Sequence, residues 1–196
     1  MIQPILWIIF AYLLGSIPVG LVLSKLKGRD PRTTGSGNIG ATNVMRTAGK
    51  TLGIITLLGD VAKGFLPVWL AARYGQPTLV VAVVGIAAFI GHIFPLYLRF
   101  KGGKGVATAV GVFLAVSPLS VLIVVVLFVV LLIIFRYVSL GSLAGTALTP
   151  IVLYLLKVSP HFITMAVIMV VLIFWKHREN IKRLWQGTEN KVFSRK

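Results

Sequence analysis

Cysteine is absent from all 196 residues, which excludes disulfides, thiolate nucleophiles and cysteine metal sites. Acidic residues are almost absent too, since Asp30, Asp60, Glu179 and Glu189 are the whole set. Four scattered carboxylates do not build a Mg²⁺ cluster, so neither a metal nor a cofactor is expected. Charged residues make up 12% of the chain and hydrophobic ones 57%, whereas soluble domains carry about 25% charged residues. That balance belongs in a lipid bilayer. The net charge of +16 suits anionic headgroups and anionic substrates rather than nucleic acid, because the basic residues are confined to short loops between apolar runs. Two catalytic signatures are missing as well. None of His92, His161 and His177 has aspartate five positions on, where Tyr97, Ala166 and Lys182 stand, and no G-x-S-x-G elbow for a serine acyl-enzyme occurs.

What is present is a series of apolar runs. The first, Ile2–Leu23, lacks the positive flank of a secretory signal and is expected to remain as a span, ending at the basic Lys25–Arg29. Leu52–Ala72 and Thr78–Leu98 follow, each close to the roughly 20 residues that cross a bilayer core. Val106–Phe135 is then apolar for 30 residues, interrupted only at Ser117-Pro118. One helix of that length would reach about 45 Å, too long for a single crossing. Ser117 as cap with Pro118 at the first helical position predicts a new helix instead. Leu140–Leu156 and Phe162–Trp175 complete the set.

Loop charge decides the topology. With the N-terminus outside and the split at Pro118, seventeen of the twenty basic residues fall on the cytoplasmic side, Arg73 and Lys157 fall outside, and Lys63 lies within a span. Without the split, the seven basic residues of Lys176–Lys196 would move outside, against the positive-inside rule. Trp7, Trp69 and Trp175 fall near the expected interfaces, where amphipathic rings settle. The expected fold is therefore an all-α integral membrane protein, one domain over 1–196, with seven transmembrane helices, N-terminus outside and C-terminus cytoplasmic.

Three polar clusters then share the cytoplasmic face. The first is S-G-N-I-G-A-T-N-V-M-R, from Ser36 to Arg46. Its Gly35–Gly40 portion reads as G-x-G-x-x-G, and Gly35–Thr42 nearly reads as a P-loop with Ala41 in place of the lysine. Both motifs need a strand before and a helix after them in an α/β domain, which this chain does not supply. The shared physics survives: small residues such as Gly37 and Gly40 let backbone N–H groups turn toward an anion, and Arg46 offers a bidentate fork. The second cluster is the Lys101–Gly105 turn, K-G-G-K-G, where Gly102 and Gly103 would expose N–H groups beside Lys104 at a helix N-terminus. The third runs from Lys176 to Glu189; read as a helix, it places His177, Asn180, Ile181, Leu184 and Trp185 on one face. Each has a plainer alternative: a flexible Gly-rich loop, a positive-inside turn, and an amphipathic tail lying on anionic lipid. Ser139 and Ser142, at the inner end of the sixth span, are expected to act as helix caps, and His92 and His161 as packing or interface residues. Asp60 and Lys63, three apart within a span, are expected to pair with each other or with loop backbone.

Taken together the clusters resemble the bacterial acyl-phosphate-dependent glycerol-3-phosphate acyltransferases, the PlsY family of small integral membrane enzymes. The resemblance rests on the Ser36–Arg46 block, the Lys101–Gly105 block, and His177, Glu179, Asn180, Arg183, Gly187 and Glu189 in the order H-x-E-N-x-x-R…G-x-E, with Asp60-Val-Ala-Lys63-Gly64 between. Ile39 departs from the proline of many members without removing a functional group. The resemblance implies transfer of an acyl group from acyl phosphate to the 1-hydroxyl of glycerol-3-phosphate at the cytoplasmic face of the bacterial inner membrane. It would yield lysophosphatidic acid and inorganic phosphate. It also implies Ser36, Gly37, Asn38, Gly40, Thr42, Asn43 and Arg46 around a substrate phosphate, and Gly102, Gly103 and Lys104 at another. Ser142, Arg183 and Glu189 join the substrate site, while His177, oriented by Asn180 or Glu179, is the candidate general base, with the substrate's own phosphate as its rival. A small transporter of phosphate esters is the competing class. It would need polar groups continuing through the bilayer midplane, whereas the outer halves of these spans are aliphatic.

Overall fold

The structure, a computed structural model, describes residues 4–192. Ile2 and Gln3 of the expected first span, and Arg195 and Lys196 of the basic tail, lie outside the described residues. Every regular element among the described residues is helical, as expected, and the helices gather into two compact units divided between Val116 and Ser117.

The first unit holds α1 (Pro4–Gly15), α2 (Val19–Lys25), α3 (Ala41–Ala48), α4 (Lys50–Arg73), α5 (Thr78–Ile93) and α6 (Val106–Val116), with a 3₁₀ turn at Leu96–Leu98. The first apolar run is thus two helices in tandem, because Pro18 has no N–H to continue the ladder of α1. Helices pack closely here where side chains vanish. A Cβ on Gly15 would meet the Ala88 carbonyl oxygen at 2.1 Å, and one on Gly111 the Val61 oxygen at 2.0 Å, so α1 lies against α5 and α6 against α4. Between lipid-soluble helices there is little hydrophobic gain in association, and such close backbone contact supplies dispersion instead. The core of this unit centres on Val84, Ala88, Phe89 and Ile93 of α5.

The second unit holds α7 (Pro118–Phe135), α8 (Val138–Leu155), α9 (Pro160–Lys176) and α10 (Arg178–Trp185). The helix break falls at Ser117-Pro118 as the proline predicts, although Ser117 caps with no side-chain hydrogen bond. Pro118 and Pro160 both occupy first-turn positions, where their fixed φ suits a helix start. α7 is apolar on every side and only Ser120 of its 18 residues is buried, the pattern of a helix bathed in lipid. α10 turns away from α9 by 60° at His177.

By length and composition, five helical stretches are able to cross a membrane: Pro4–Lys25, Lys50–Arg73, Thr78–Leu98, Pro118–Phe135 and Val138–Leu155. The bent pair α9–α10 brings the number to six. α6, with 11 residues, is only about 16 Å long at 1.5 Å per residue, shorter than a usual crossing of about 30 Å.

Candidate active site

Unit by unit, the polar clusters of the sequence become sites with a definite interior and exterior. In the Ser36–Arg46 block the organising residue is Asn43, on α3 and 2% exposed. Its Oδ1 accepts the Ser36 N–H at 2.8 Å, and its amide nitrogen donates to the carbonyls of Pro31, Thr34 and Asn38 at 2.8, 3.1 and 2.8 Å. A Cβ on Gly35 would stand 2.2 Å from Asn43 Oδ1, so glycine with φ +62° is required there. Asn43 therefore holds the loop from within.

Of the N–H groups expected to form an open nest, three are used within the loop. The Ser36 N–H goes to Asn43, that of Gly37 to the Thr34 carbonyl at 3.1 Å, and that of Gly40 to Asn38 Oδ1 at 2.8 Å. These three N–H groups are taken up inside the loop, whereas those of Asn38, Ile39, Ala41 and Thr42 make no hydrogen bond among the described residues, the last two at the uncapped start of α3. What remains outward is Ser36, Thr42 and Arg46, whose side chains have no hydrogen-bonding partner among the described residues. Thr42 and Arg46 lie four apart on one face of α3.

The Lys101–Gly105 turn shows the same economy. The Gly102 N–H donates to the Ile93 carbonyl at 3.1 Å and the Gly103 N–H to that of His92 at 3.2 Å. These two glycines accordingly do not present N–H groups to an anion; their role is close approach, since a Cβ on Gly103 would lie 2.2 Å from His92 Nε2. Gly105 has φ +89° and backs onto Phe89, and half-buried Lys104 stands between these glycines just before α6. His92 is more than packing: its Nδ1 lies 3.6 Å from Asp60 Oδ1, to which Lys63 Nζ pairs at 2.9 Å. Lys63 also donates to the Ile17 carbonyl at 2.8 Å, at the break between α1 and α2. Asp60 and Lys63 thus pair with each other and with backbone, as their spacing predicts.

In the second unit Glu189 is the centre. Its Oε1 accepts from Asn180 Nδ2 at 2.8 Å and Ser139 Oγ at 3.1 Å, and its Oε2 from Arg183 Nε at 2.7 Å. Burial pushes this carboxyl up, but the hydrogen bonds from Arg183, Asn180 and Ser139 and the guanidinium charge outweigh it and hold the pKa below the ordinary range. Glu189 is thus a clamp on protein groups, and Ser139 is its donor rather than a helix cap. The clamp depends on Gly187, whose φ of +68° ends α10 with the Gly187 and Thr188 N–H groups on the Leu184 and Arg183 carbonyls. Arg183 makes this contact through Nε, and Ser142 is buried one turn beyond Ser139 on α8. Because the folded Glu189 carboxyl titrates below its ordinary value of 4.5, the clamp stabilises the fold above that pH and loses its contribution as pH falls through the lower folded value. Glu189→Gln should lower the melting temperature in detergent at pH 7 and flatten its decline in acid.

His177 joins α9 to α10 and is 3% exposed. Its Nδ1 lies 2.8 Å from the Ile173 carbonyl. A carbonyl only accepts, so Nδ1 carries a proton, and in the neutral ring Nε2 keeps the lone pair. Glu179 does not orient the ring: its side chain is exposed and pairs with Arg178 at 3.8 Å. Of the helical face expected here, His177 and Asn180 are buried while Trp185 is 92% exposed. Nothing in the local sequence marks Ser139 or the His92–Asp60 contact, because both are tertiary pairings.

Residues 5–187 match the family model for glycerol-3-phosphate acyltransferase. Proteins named glycerol-3-phosphate acyltransferase are similar over the whole length: that of Geotalea daltonii is 56% identical over 100% of both chains, and that of Geobacter sulfurreducens 53% identical over 92% of this chain and 93% of its own. Two crystal structures of PlsY, an integral membrane glycerol 3-phosphate acyltransferase, are 42% identical and cover 96% of this chain and 95% of their own. The glycerol 3-phosphate form superposes with a TM-score of 0.94 and the lysophosphatidic acid form with 0.92. This chain belongs to the glycerol-3-phosphate acyltransferase (PlsY) family and is an integral membrane acyltransferase.

Proposed function

We propose that the protein transfers a fatty acyl group from acyl phosphate to the 1-hydroxyl of glycerol-3-phosphate, releasing inorganic phosphate and 1-acyl-glycerol-3-phosphate. The observation that carries this reading is the outward trio Ser36, Thr42 and Arg46, on a loop that Asn43 holds from within. Two hydroxyls and a guanidinium are the donors a phosphate requires. The likeness to chains solved with glycerol 3-phosphate and with lysophosphatidic acid supports the acceptor and the product.

The acceptor oxygen attacks the acyl carbon, the bond from that carbon to the phosphate oxygen breaks, and phosphate departs with the bonding electrons. Acyl phosphate is a mixed anhydride with a good leaving group, so positioning and charge stabilisation can supply most of the rate. Arg46, Ser36 and Thr42 hold one phosphate, Lys104 meets a second as a point charge, and Arg183 offers a further anion contact. The proton of the acceptor passes to His177 Nε2 or to the departing phosphate. No divalent ion is required: each acid has a basic partner, Asp30 with Arg32, Asp60 with Lys63, Glu179 with Arg178 and Glu189 with Arg183.

Purified protein given acyl phosphate and glycerol-3-phosphate should release phosphate and form lysophosphatidic acid, equally well in EDTA. Acyl-CoA in place of acyl phosphate should give nothing. Turnover with acyl-CoA would reassign the donor, and inertness with both donors would overturn the reading.

The seven-span topology belongs to the same proposal, with α6 entering the bilayer from the cytoplasmic side and the bacterial inner membrane as its location. In this cysteine-free chain, single cysteines at Lys50, Lys101, Arg136 and Lys191 should react only from the cytoplasmic side, and one at Gln76 only from outside. Labelling of position 136 from outside would overturn the seven-span topology.

A further inference from the structure

A carboxylate, an ammonium and an imidazole inside the first unit are used by nothing in the mechanism above. Asp60, Lys63 and His92 are at most 4% exposed, and ionisable groups at such depth in a membrane protein are costly unless they serve a purpose. Their contacts form a chain. The Ile17 carbonyl, at the α1–α2 break, receives Lys63 Nζ at 2.8 Å; Lys63 pairs with Asp60 at 2.9 Å; Asp60 Oδ1 faces His92 Nδ1 at 3.6 Å. The other edge of the His92 ring leaves no room for a Cβ at Gly103, and the His92 carbonyl accepts the Gly103 N–H at 3.2 Å. Lys104 is the next residue. The segment leading there is pinned as well, with Tyr12 Oη donating to the Phe94 carbonyl at 2.9 Å and the Leu96 N–H reaching Ser16 Oγ at 3.4 Å.

We propose that Asp60, Lys63 and His92 are positioning residues that fix the Gly102–Lys104 turn through the His92 ring and so set where the Lys104 ammonium stands. The proposal rests on the reading of Lys104 as a phosphate contact. Two conditions make such a device necessary. The turn has no regular ladder to define it, and Arg99 and Phe100 just before it sit at positive φ, 50° and 62°, where non-glycine residues are held only by their surroundings. The Asp60–Lys63 pair leaves no net charge in the membrane interior, while the carboxylate, 3.6 Å away and beyond hydrogen-bond distance, favours by its charge the ring orientation that turns Nδ1 toward it. The ring then acts as a stop against which Gly103, and no larger residue, closes.

The test uses the full-length protein in detergent with a spin label on a single cysteine at Lys101, an exposed position outside the assigned contacts. His92→Leu, which removes the link without enlarging the side chain, should make the label more mobile. It should also lower kcat by about 10²-fold, the scale of a misplaced catalytic group. Combined with Lys104→Ala, it should cost no more than Lys104→Ala alone, since both act through one ammonium. Asp60→Asn with Lys63→Gln is the second variant: it leaves no unpaired charge, keeps a donor for the Ile17 carbonyl, and should reproduce the label mobility and the loss. An unchanged label in the folded variants, or losses that add to that of Lys104→Ala, would overturn the proposal and leave the cluster as helix packing. If instead Lys104→Ala retains full activity while the label is still released, the Lys104 reading fails and the positioning of the turn stands.

Discussion

Alanine at His177 should lower turnover by about 10²–10⁴-fold, the range for loss of a positioned proton acceptor or of a transition-state hydrogen-bond partner. The two roles separate in other variants. The Ile173 carbonyl at 2.8 Å fixes Nδ1 as the protonated nitrogen, so the chemistry of this ring lies at Nε2. Asparagine can keep the N–H toward Ile173 but has nothing at the Nε2 position. Glutamine reaches that position with a carbonyl oxygen, which accepts a hydrogen bond yet does not take a proton at neutral pH. If Nε2 is the base, His177→Gln should be as impaired as His177→Ala. If the ring aligns the acceptor hydroxyl while the departing phosphate takes its proton, His177→Gln should remain within about tenfold of wild type, a deficit of ~1.4 kcal/mol. The second outcome is expected, because acyl phosphate brings a base to within bonding distance of the nucleophile. Steady-state kcat for the three variants, with binding of glycerol-3-phosphate measured separately, distinguishes them. A dead glutamine variant with intact binding would make His177 the base.

The architecture was legible where a residue's own backbone chemistry dictates the outcome. Pro118 announces a helix start because its φ is fixed and its missing N–H is unneeded in a first turn. Asp60 and Lys63 announce a pair because they stand one turn apart on a helix that offers them no water. The break at Pro18 was hidden inside an apolar run whose length alone suits one crossing. Side-chain direction was less legible still. Asn38, Asn43, Gly102, Gly103 and Glu189 are the residue types that bind phosphate or orient a base, and they are equally the types that satisfy an irregular backbone. The choice depends on which carbonyls the turn brings within 3 Å, and composition does not carry that information. Ser139 shows the converse, since a hydroxyl in the first turn of α8 reads as a cap until the chain returns at Gly187 and places Glu189 against it.

Alanine at Arg46 should raise the KM of one phosphate-bearing substrate, lower kcat, or both, by about 10- to 150-fold together. That is the equivalent of the 1.5–3 kcal/mol typical of a hydrogen bond to a charged group. Arg46 is exposed and has no pairing partner among the described residues, so its removal breaks nothing within the fold and should leave the melting temperature unchanged. Asn43 gives the contrast. It anchors the same loop through four hydrogen bonds while nearly fully buried, and Asn43→Ala should lower stability along with activity. Lysine at position 46 separates shape from charge. A planar guanidinium holds two phosphate oxygens at once, whereas an ammonium acts as a point charge, so Arg46→Lys should recover little of the loss. Thr42, one turn earlier on α3, should show a smaller defect as alanine, since a neutral hydroxyl contributes about 0.5–1.5 kcal/mol. Full recovery by Arg46→Lys, together with suppression of the wild-type advantage at high salt, would mean that Arg46 only raises the local positive potential. The phosphate would then have to be held elsewhere.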